Sequence, residues 1–80
     1  MYYVYVIQSQ HGKIYTGHTS DLEKRLFEHN SGMCKTTKED SRWRLIYSED
    51  FETRGEAMKR ERWLKTGVGR DYIRGIIDGD

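Results

Sequence analysis

Residues 2–17, with the sequence YYVYVIQSQHGKIYTG, decide the fold because they hold two strand-forming runs on either side of a short polar loop. The runs Tyr2–Gln8 and Lys13–Gly17 are rich in aromatic and β-branched residues, which favour strands. The intervening Ser9–Gly12 has the polar and glycine content of a hairpin loop. The sequence therefore predicts a β-hairpin at the start of the chain.

A helix is predicted directly after the hairpin. Residues 20–23, Ser-Asp-Leu-Glu, fit a capping box in which Ser20 satisfies an early backbone amide. The helix extends from about Asp21 to Asn30, and Gly32 can adopt the left-handed conformation that closes it. Residues 33–41 then form a polar loop that carries lysines.

The second half of the chain predicts one strand and two helices. Arg44–Ser48 forms the third strand, and Thr53–Glu56 is a second capping box. The helix that follows ends before Gly67, where Gly67–Gly69 is expected to break the chain. A short last helix covers about Arg70 to Ile77.

The predicted fold class is α+β, with the element order β-β-α-β-α-α. Eighty residues leave room for one domain only, so residues 1–80 form a single unit. Three strands cannot bury both of their faces alone, and the helices must therefore flank a three-stranded antiparallel sheet.

The composition excludes several classes of protein. No apolar run approaches the roughly 20 residues that a membrane-spanning helix needs, and the first residues do not resemble a signal peptide, so a cytoplasmic location is expected. The single cysteine, Cys34, cannot form an internal disulfide and has no metal-ligand spacing around it. The net charge of +1 is uninformative, whereas the local basic excess between Glu52 and Arg74 gives a weak preference for a nucleic-acid partner.

Several polar side chains fall on faces that should be covered. Tyr5 and Tyr15 lie ten positions apart on the hairpin, and the strand register decides whether they share a face of the sheet. A symmetric loop pairs them directly across the two strands, whereas a slip of one residue sends them to opposite faces. On the first helix, Arg25 and His29 lie one turn apart at the edge of the apolar stripe. Either a structural role, such as pairing of Arg25 with Glu28, or a functional role explains that pair.

Glu61 occupies the middle of an apolar stripe. Ala57, Glu61 and Leu64 follow the spacing of one helix face, which should pack on the sheet. A buried carboxylate without a partner costs several kcal/mol, so Glu61 requires a cation. An internal salt bridge with Arg25 and a bound metal ion are both open, and they do not exclude each other.

In this order and spacing, these residues resemble the GIY-YIG nucleases, in particular the small stand-alone members. Tyr3–Tyr5 stands for the end of the first motif and Tyr15–Gly17 for the second. Arg25 falls at the helical arginine, His29 at a position one turn later, and Glu61 at the helical glutamate. The likeness covers essentially the whole chain.

The chain also departs from the pattern of that family. Tyr3 replaces the first glycine, Thr16 stands in the middle of the second motif, and His18 replaces a lysine that some members carry. Ile73 or a neighbour stands where other members have an asparagine. The similarity extends into Lys65–Arg70, which resembles the tail of the small members.

The resemblance implies hydrolysis of phosphodiester bonds with a single divalent metal ion, Mg²⁺ or Mn²⁺, and DNA is favoured over RNA as the substrate. Glu61 would hold the metal, and Arg25 would brace the phosphate. Tyr5 is expected as the general base, with Tyr15 positioning the water and the phosphate. Alternatively Tyr5 only orients the water, and His29 relays the proton because its ordinary pKa suits that task.

A set of basic residues on loops and helix ends, together with one glycine, is expected to contact the nucleic-acid backbone. Such contacts position a substrate without reading its sequence. Because so small a surface binds weakly, a homodimer or a protein partner is an open possibility, and no membrane partner is expected. The predicted contact residues are Lys13, Gly17, His18, Lys35, Lys38, Arg42, Lys65 and Arg70.

Two alternative functions are consistent with the same sequence. The first is a catalytically silent nucleic-acid-binding module in which Glu61 is locked to Arg25. The second is a protein-interaction domain that uses Trp43 and Trp63, if these side chains are exposed and not part of the core.

Overall fold

The predicted α+β fold and its element order are confirmed in a computed structural model, which describes residues 1–34, 37 and 40–79. The hairpin strands and the third strand form one sheet, and three helices cover it. The elements are β1 (Tyr2–Gln8), β2 (Ile14–Thr19), α1 (Leu22–Asn30), β3 (Arg44–Phe51), α2 (Arg54–Leu64) and α3 (Gly67–Asp78).

The sheet has the order β2-β1-β3, and both pairings are antiparallel. β1 is the central strand, which explains why its residues Val4–Ile7 are all buried. β3 extends to Phe51, three residues beyond the prediction, because it pairs with β1 as far as Tyr2. A bulge interrupts this pairing between Val6 and Ile7.

Alternating side chains of β1 build two separate cores on the two faces of the sheet. Val4 and Val6 pack against Leu64 of α2 and Ile73 of α3. Tyr5 and Ile7 face the other way and pack with Trp43, and Leu22, Leu26 and Tyr15 lie against them. The sheet therefore separates α1 from α2 and α3, and this arrangement decides which polar residues can meet.

Both tryptophans contribute to these cores. Trp43 is 5% exposed, whereas Trp63 is half-buried, packs against the α2–α3 side and stacks under the guanidinium of Arg60 at 4.3 Å. Neither is the freely exposed anchor that a protein-interaction domain would need.

The start of α1 differs from the prediction. Asp21, and not Ser20, is the N-cap, because Asp21 has the extended conformation and its carboxylate accepts a hydrogen bond from the Lys24 amide at 3.1 Å. Thr19 supports this turn by accepting from the Asp21 amide. The predicted cap of α2 is confirmed, since the Thr53 hydroxyl accepts from the Glu56 amide.

Gly67–Gly69 does not break the chain but forms the first turn of α3, so that this part of the prediction is wrong. Thr66 caps the helix by accepting from the Gly69 amide at 3.2 Å. Gly69 is buried, and a Cβ atom there would collide with the backbone of Trp63 and Leu64. The glycine allows α3 to start directly against the end of α2.

In the described part of the chain, no helix is long and apolar enough to cross a membrane.

Candidate active site

The hairpin register places Tyr5 and Tyr15 on the same face of the sheet. Tyr5 pairs with Gly17 and Ile7 pairs with Tyr15, so the two tyrosines are diagonal neighbours and not directly opposite each other. Their ring centroids lie 6.2 Å apart. The symmetric register is therefore not adopted, but the expected meeting of the two phenols occurs.

Gly17 makes room for both tyrosine rings. A Cβ atom at this position would lie 2.7 Å from Oη of Tyr5 and 3.0 Å from the ring of Tyr15. The space above the glycine is thus filled by the chain's own side chains, whereas the sequence suggested that it admits a substrate backbone. Gly17 therefore offers no free space to a nucleic-acid backbone in this geometry, and its contact with nucleic acid stays a prediction.

α1 brings His29 beneath the two tyrosines. Leu22 and Leu26 hold the helix against the sheet, and His29 follows one turn after Arg25 and is completely buried. Its Nε2 lies 2.8 Å from Oη of Tyr5, and its ring centroid lies 4.9 Å from that of Tyr15. Tyr5, Tyr15 and His29 are called the tyrosine–histidine cluster below.

Burial favours the neutral forms of Tyr5 and His29. Desolvation raises the pKa of Tyr5 to about 12, although the Arg25 guanidinium beside it acts in the opposite direction. Desolvation, with Arg25 as the next cause, lowers the pKa of His29 below its ordinary value. Arg25 alone therefore does not activate Tyr5 by ionisation, because the loss of solvation outweighs its charge.

Arg25 and Glu61 do not form the internal salt bridge that the sequence left open. Nη1 of Arg25 donates to the Glu28 carboxylate at 3.1 Å, one turn along α1. Glu61 lies on α2, which packs on the opposite face of the sheet. The intervening sheet is the physical reason for the missing pair.

Glu61 finds its hydrogen-bond partners in His18 and Lys65. Its carboxylate lies 2.5 Å from Nδ1 of His18 and accepts from Nζ of Lys65 at 2.6 Å. Burial opposes ionisation of Glu61, but these two bonds outweigh it and hold the pKa of the carboxyl below its ordinary value. The side chain is 18% exposed, so the carboxylate is ionised and within reach of solvent.

A single groove joins the two parts of the site at the end of β2. Its walls include His18, which binds Glu61, and Arg25, which lies beside Tyr5, and its volume is about 440 Å³. We call it the His18–Arg25 groove. Further residues that line it are Thr19, Ser20, Asp21, Lys24, Glu28 and Arg54.

The remaining predicted contact residues lie in other places. Lys65 and Arg70 line a second groove of about 760 Å³ between β2 and α3. Lys13 and Arg42 are exposed on loops, and Arg42 has a positive φ of 57°. Lys35 and Lys38 fall outside the described residues.

Three residues at the site were missed by sequence reasoning. Lys24 and Arg54 line the His18–Arg25 groove, and Oγ1 of Thr37 lies 2.7 Å from Nδ1 of His29. Lys24 had a local signal, since it directly precedes Arg25. Arg54 and Thr37 had none, because only the packing of distant segments brings them to the site.

At this site, Glu61 is the carboxylate that suits a divalent cation best, since Glu28 pairs with Arg25 and Asp21 caps α1. Among the described residues, no group of three or more His, Cys, Asp or Glu side chains is placed to hold a metal ion. Mg²⁺ keeps several waters and often uses one carboxylate together with substrate phosphate oxygens, and Glu61 offers an ionised, solvent-accessible carboxylate. A metal ligated by Glu61 would displace Lys65 or His18 from the carboxylate oxygens.

Comparison with known proteins agrees with this fold. The GIY-YIG catalytic domain matches residues 1–72. The chain is 38% identical over 79 residues to a UPF0213 protein of Staphylococcus saprophyticus, covering 98% of this chain and 96% of that protein. It is 39% identical over 80 residues to UPF0213 protein YsiG of Lactococcus lactis, covering 99% and 77%.

A solved structure shows the same architecture. The solution NMR structure of a UPF0213 protein from Bacillus halodurans superimposes with a TM-score of 0.57 at 30% identity, and the match covers 95% of this chain and 85% of that one. Together with the matched domain, this likeness shows that the chain belongs to the GIY-YIG family, as do its small UPF0213 relatives.

Proposed function

We propose that this protein is an endonuclease that hydrolyses phosphodiester bonds in DNA with the help of one divalent cation, Mg²⁺ or Mn²⁺. The observation that carries the proposal is the His18–Arg25 groove, because it joins the partner of Glu61 to the neighbour of Tyr5. Membership of the GIY-YIG family supports the reaction class. Since its relatives are bacterial, the DNA that it would cut lies in the cytoplasm.

The groove suits a phosphate group. Arg25, Lys24, Arg54 and His18 line it, and Arg25 can bind two phosphate oxygens at once through its planar guanidinium. Within this site, Arg25 braces the scissile phosphate and stabilises the charge that develops during attack. The neighbouring basic residues hold the flanking backbone and do not select a sequence.

The proton of the attacking water passes to the tyrosine–histidine cluster. Bringing the pKa of Tyr5 from about 12 to 7 would require roughly 7 kcal/mol, so Tyr5 does not act as a phenolate. Instead Tyr5 takes the proton from water while its own proton moves to Nε2 of His29, which is 2.8 Å away. Tyr5 is only 1% exposed, and in this proposal the attacking water approaches it from the groove that Arg25 lines.

Glu61 supplies the ligand for the cation. A divalent ion held there would add positive charge next to the phosphate and the leaving oxygen. His18 and Lys65 keep the carboxylate ionised and oriented in the free protein. Lys65 can then swing toward solvent or substrate, because its side chain is about half exposed.

The decisive experiment is incubation with single-stranded, duplex and branched DNA, and with RNA, in Mg²⁺ or Mn²⁺. Cleavage of DNA that is stopped by EDTA is the expected result. Glu61→Gln removes the charge but keeps the shape, and should reduce cleavage at least about 100-fold while DNA binding persists. Arg25→Ala should weaken both cleavage and binding.

A matched control is Glu56→Gln, which alters an exposed carboxylate at the start of the same helix, away from the groove. This variant should cleave like the wild type. A protein that binds DNA but cuts none of the substrates with either metal would instead be the catalytically silent nucleic-acid-binding module. Preferential cleavage of RNA would overturn the assignment of DNA as the substrate.

A further inference from the structure

A buried chain of hydrogen-bonding groups continues from the tyrosine–histidine cluster into the loop before β3. Oη of Tyr5 meets Nε2 of His29 at 2.8 Å, and Nδ1 of His29 meets Oγ1 of Thr37 at 2.7 Å. All three residues are at most 1% exposed. Both nitrogens of the imidazole are therefore engaged by protein groups and shielded from water.

The chemistry of the neighbours sets the direction of these bonds. Among the described residues, the Tyr5 hydroxyl bonds Nε2 of His29, and the nearby Arg25 can only donate. The arrangement in which the Tyr5 proton is also satisfied is the one in which Tyr5 donates to an unprotonated Nε2. A neutral imidazole then carries its proton on Nδ1 and donates it to Thr37.

The loop is built to hold the Thr37 hydroxyl in place. The Trp43 indole donates to the backbone oxygen of Thr37 at 3.2 Å. Trp43 is in turn fixed to α1, because Asn30 donates to its carbonyl and accepts from its amide. Asn30 directly follows His29, so the same helix end orients the imidazole and the hydroxyl that it contacts.

We propose that Thr37 is a positioning residue that holds His29 in the Nδ1–H tautomer and so keeps Nε2 free to receive the proton of Tyr5. Thr37 contacts neither substrate nor metal in this scheme. The role rests on the proposed hydrolysis for its purpose, but the tautomer itself is a property of the free protein. It can therefore be measured whether or not the protein cleaves DNA.

The first test is a long-range ¹H–¹⁵N NMR spectrum of the ¹⁵N-labelled wild-type protein at neutral pH. The expected spectrum shows His29 with a pyrrole-type Nδ1 and a pyridine-type Nε2. A spectrum that shows the proton on Nε2, or an even mixture of tautomers, would overturn the proposal. This result does not depend on any variant being able to fold.

Variants of Thr37 then test whether its hydroxyl determines the tautomer of His29. Thr37→Val keeps the shape but removes the hydroxyl, so the Nδ1–H form should lose its preference, and cleavage should fall about 10- to 100-fold. Thr37→Ser should restore both. Ser41→Ala is the matched control, because its exposed hydroxyl bonds only Gln10 in the described structure and the His29 spectrum should not change.

The two readouts separate the proposals. An Nδ1–H spectrum that Thr37→Val abolishes supports the positioning role even if no DNA is cut, in which case only the proposed function fails. An unchanged tautomer in folded Thr37→Val contradicts the positioning role, even if the wild-type protein is an active nuclease.

Discussion

Gly17 holds two aromatic rings together by the absence of a side chain. Tyr5 and Tyr15 close over it, and the hydroxyl of Tyr5 is placed there to meet His29. The motif Tyr15-Thr16-Gly17 therefore has a packing function in addition to any contact with substrate.

Gly17→Ala should destabilise the fold. The added methyl would overlap Oη of Tyr5 at 2.7 Å and force the rings apart, with an expected loss of about 1–3 kcal/mol in the free energy of unfolding. Urea denaturation measures it. Gly75→Ala is the control: no atom lies within 4 Å of its Cβ position in α3, and alanine there should add about 0.5–1 kcal/mol. Equal effects at both positions would refute this explanation.

His29 should make stability depend on pH between about 7 and 5. Its pKa is lowered by burial and by Arg25, with Glu28 acting in the opposite sense and Tyr5 and Tyr15 as its other titratable neighbours. Below the ordinary value of 6.5, the unfolded chain binds more protons than the folded one. The free energy of unfolding therefore falls with decreasing pH, by at most about 1.4 kcal/mol per unit.

Urea denaturation across this pH range, with His29→Gln for comparison, measures the effect. The variant should be less stable at pH 7 and should show a much weaker dependence. The lowered pKa values of Asp40 and Glu61 also reduce stability as the pH falls, but mainly below about pH 5, because both carboxyls have ordinary values of 4.5 or less. A wild-type protein with constant stability from pH 7 to 5 would contradict the assignment.

At the scale of elements, α1 begins one residue later than the capping box indicated. The sequence offers Ser20 and Asp21 as competing caps, and both are good N-cap residues. The choice depends on the backbone path out of β2, where Thr19 accepts from the Asp21 amide. Local sequence rules rank the two residues equally, so the path of the preceding strand determines which of them is the N-cap.

Asp21→Ala should therefore cost about 1 kcal/mol of stability, because the Lys24 amide loses its acceptor. Ser20→Ala should change stability by less than about 0.5 kcal/mol, as for an ordinary exposed residue. Thermal or urea denaturation of the two variants side by side distinguishes the caps. If Ser20→Ala were the more damaging change, the cap would lie at Ser20 after all.

The junction of α2 and α3 also differs from what its glycine content predicts. Two glycines within three residues usually mark a loop, and the sequence predicts a break there. The Thr66 cap and the tight contact of Gly69 with Trp63 and Leu64 instead allow a helix to start at once. Gly69 is needed because the backbones of α2 and α3 approach each other closely at this position.

At the scale of the whole molecule, positive charge is concentrated in one groove although the chain as a whole is nearly neutral. The chain carries only +1, yet the His18–Arg25 groove has three arginine or lysine side chains against two carboxylates, Asp21 and Glu28. Glu28 pairs with Nη1 of Arg25, so Lys24 and Arg54 add the positive charge that the flanking phosphates would meet beside Arg25.

Arg54→Ala should weaken binding of duplex DNA and lower the slope of log affinity against log salt concentration by about 0.9 if Arg54 contacts one phosphate. Fluorescence anisotropy between 50 and 300 mM salt measures the slope. Arg44→Ala is the control, because Arg44 is exposed on β3 and bonds Gln8 outside the groove. An unchanged slope in Arg54→Ala would remove this residue from the binding surface.

The sequence by itself determined the element order, the three-stranded sheet and the residue types of the site. Strand and helix periodicities are local, so that β1, α1 and the Thr53 cap could be predicted within a residue or so. The spacing of Tyr5, Tyr15, Arg25, His29 and Glu61 was sufficient to identify the family before any contact was known.

Only the tertiary structure decided which of these groups meet. The hairpin register set Tyr5 against Gly17, and the sheet placed Arg25 and Glu61 on opposite sides, so that Glu28 and His18 became their partners. Thr37 contacts His29, and Trp43 and Asn30 tie Thr37 to the end of α1. Such contacts depend on packing between segments distant in the chain, and local residue preferences do not encode them.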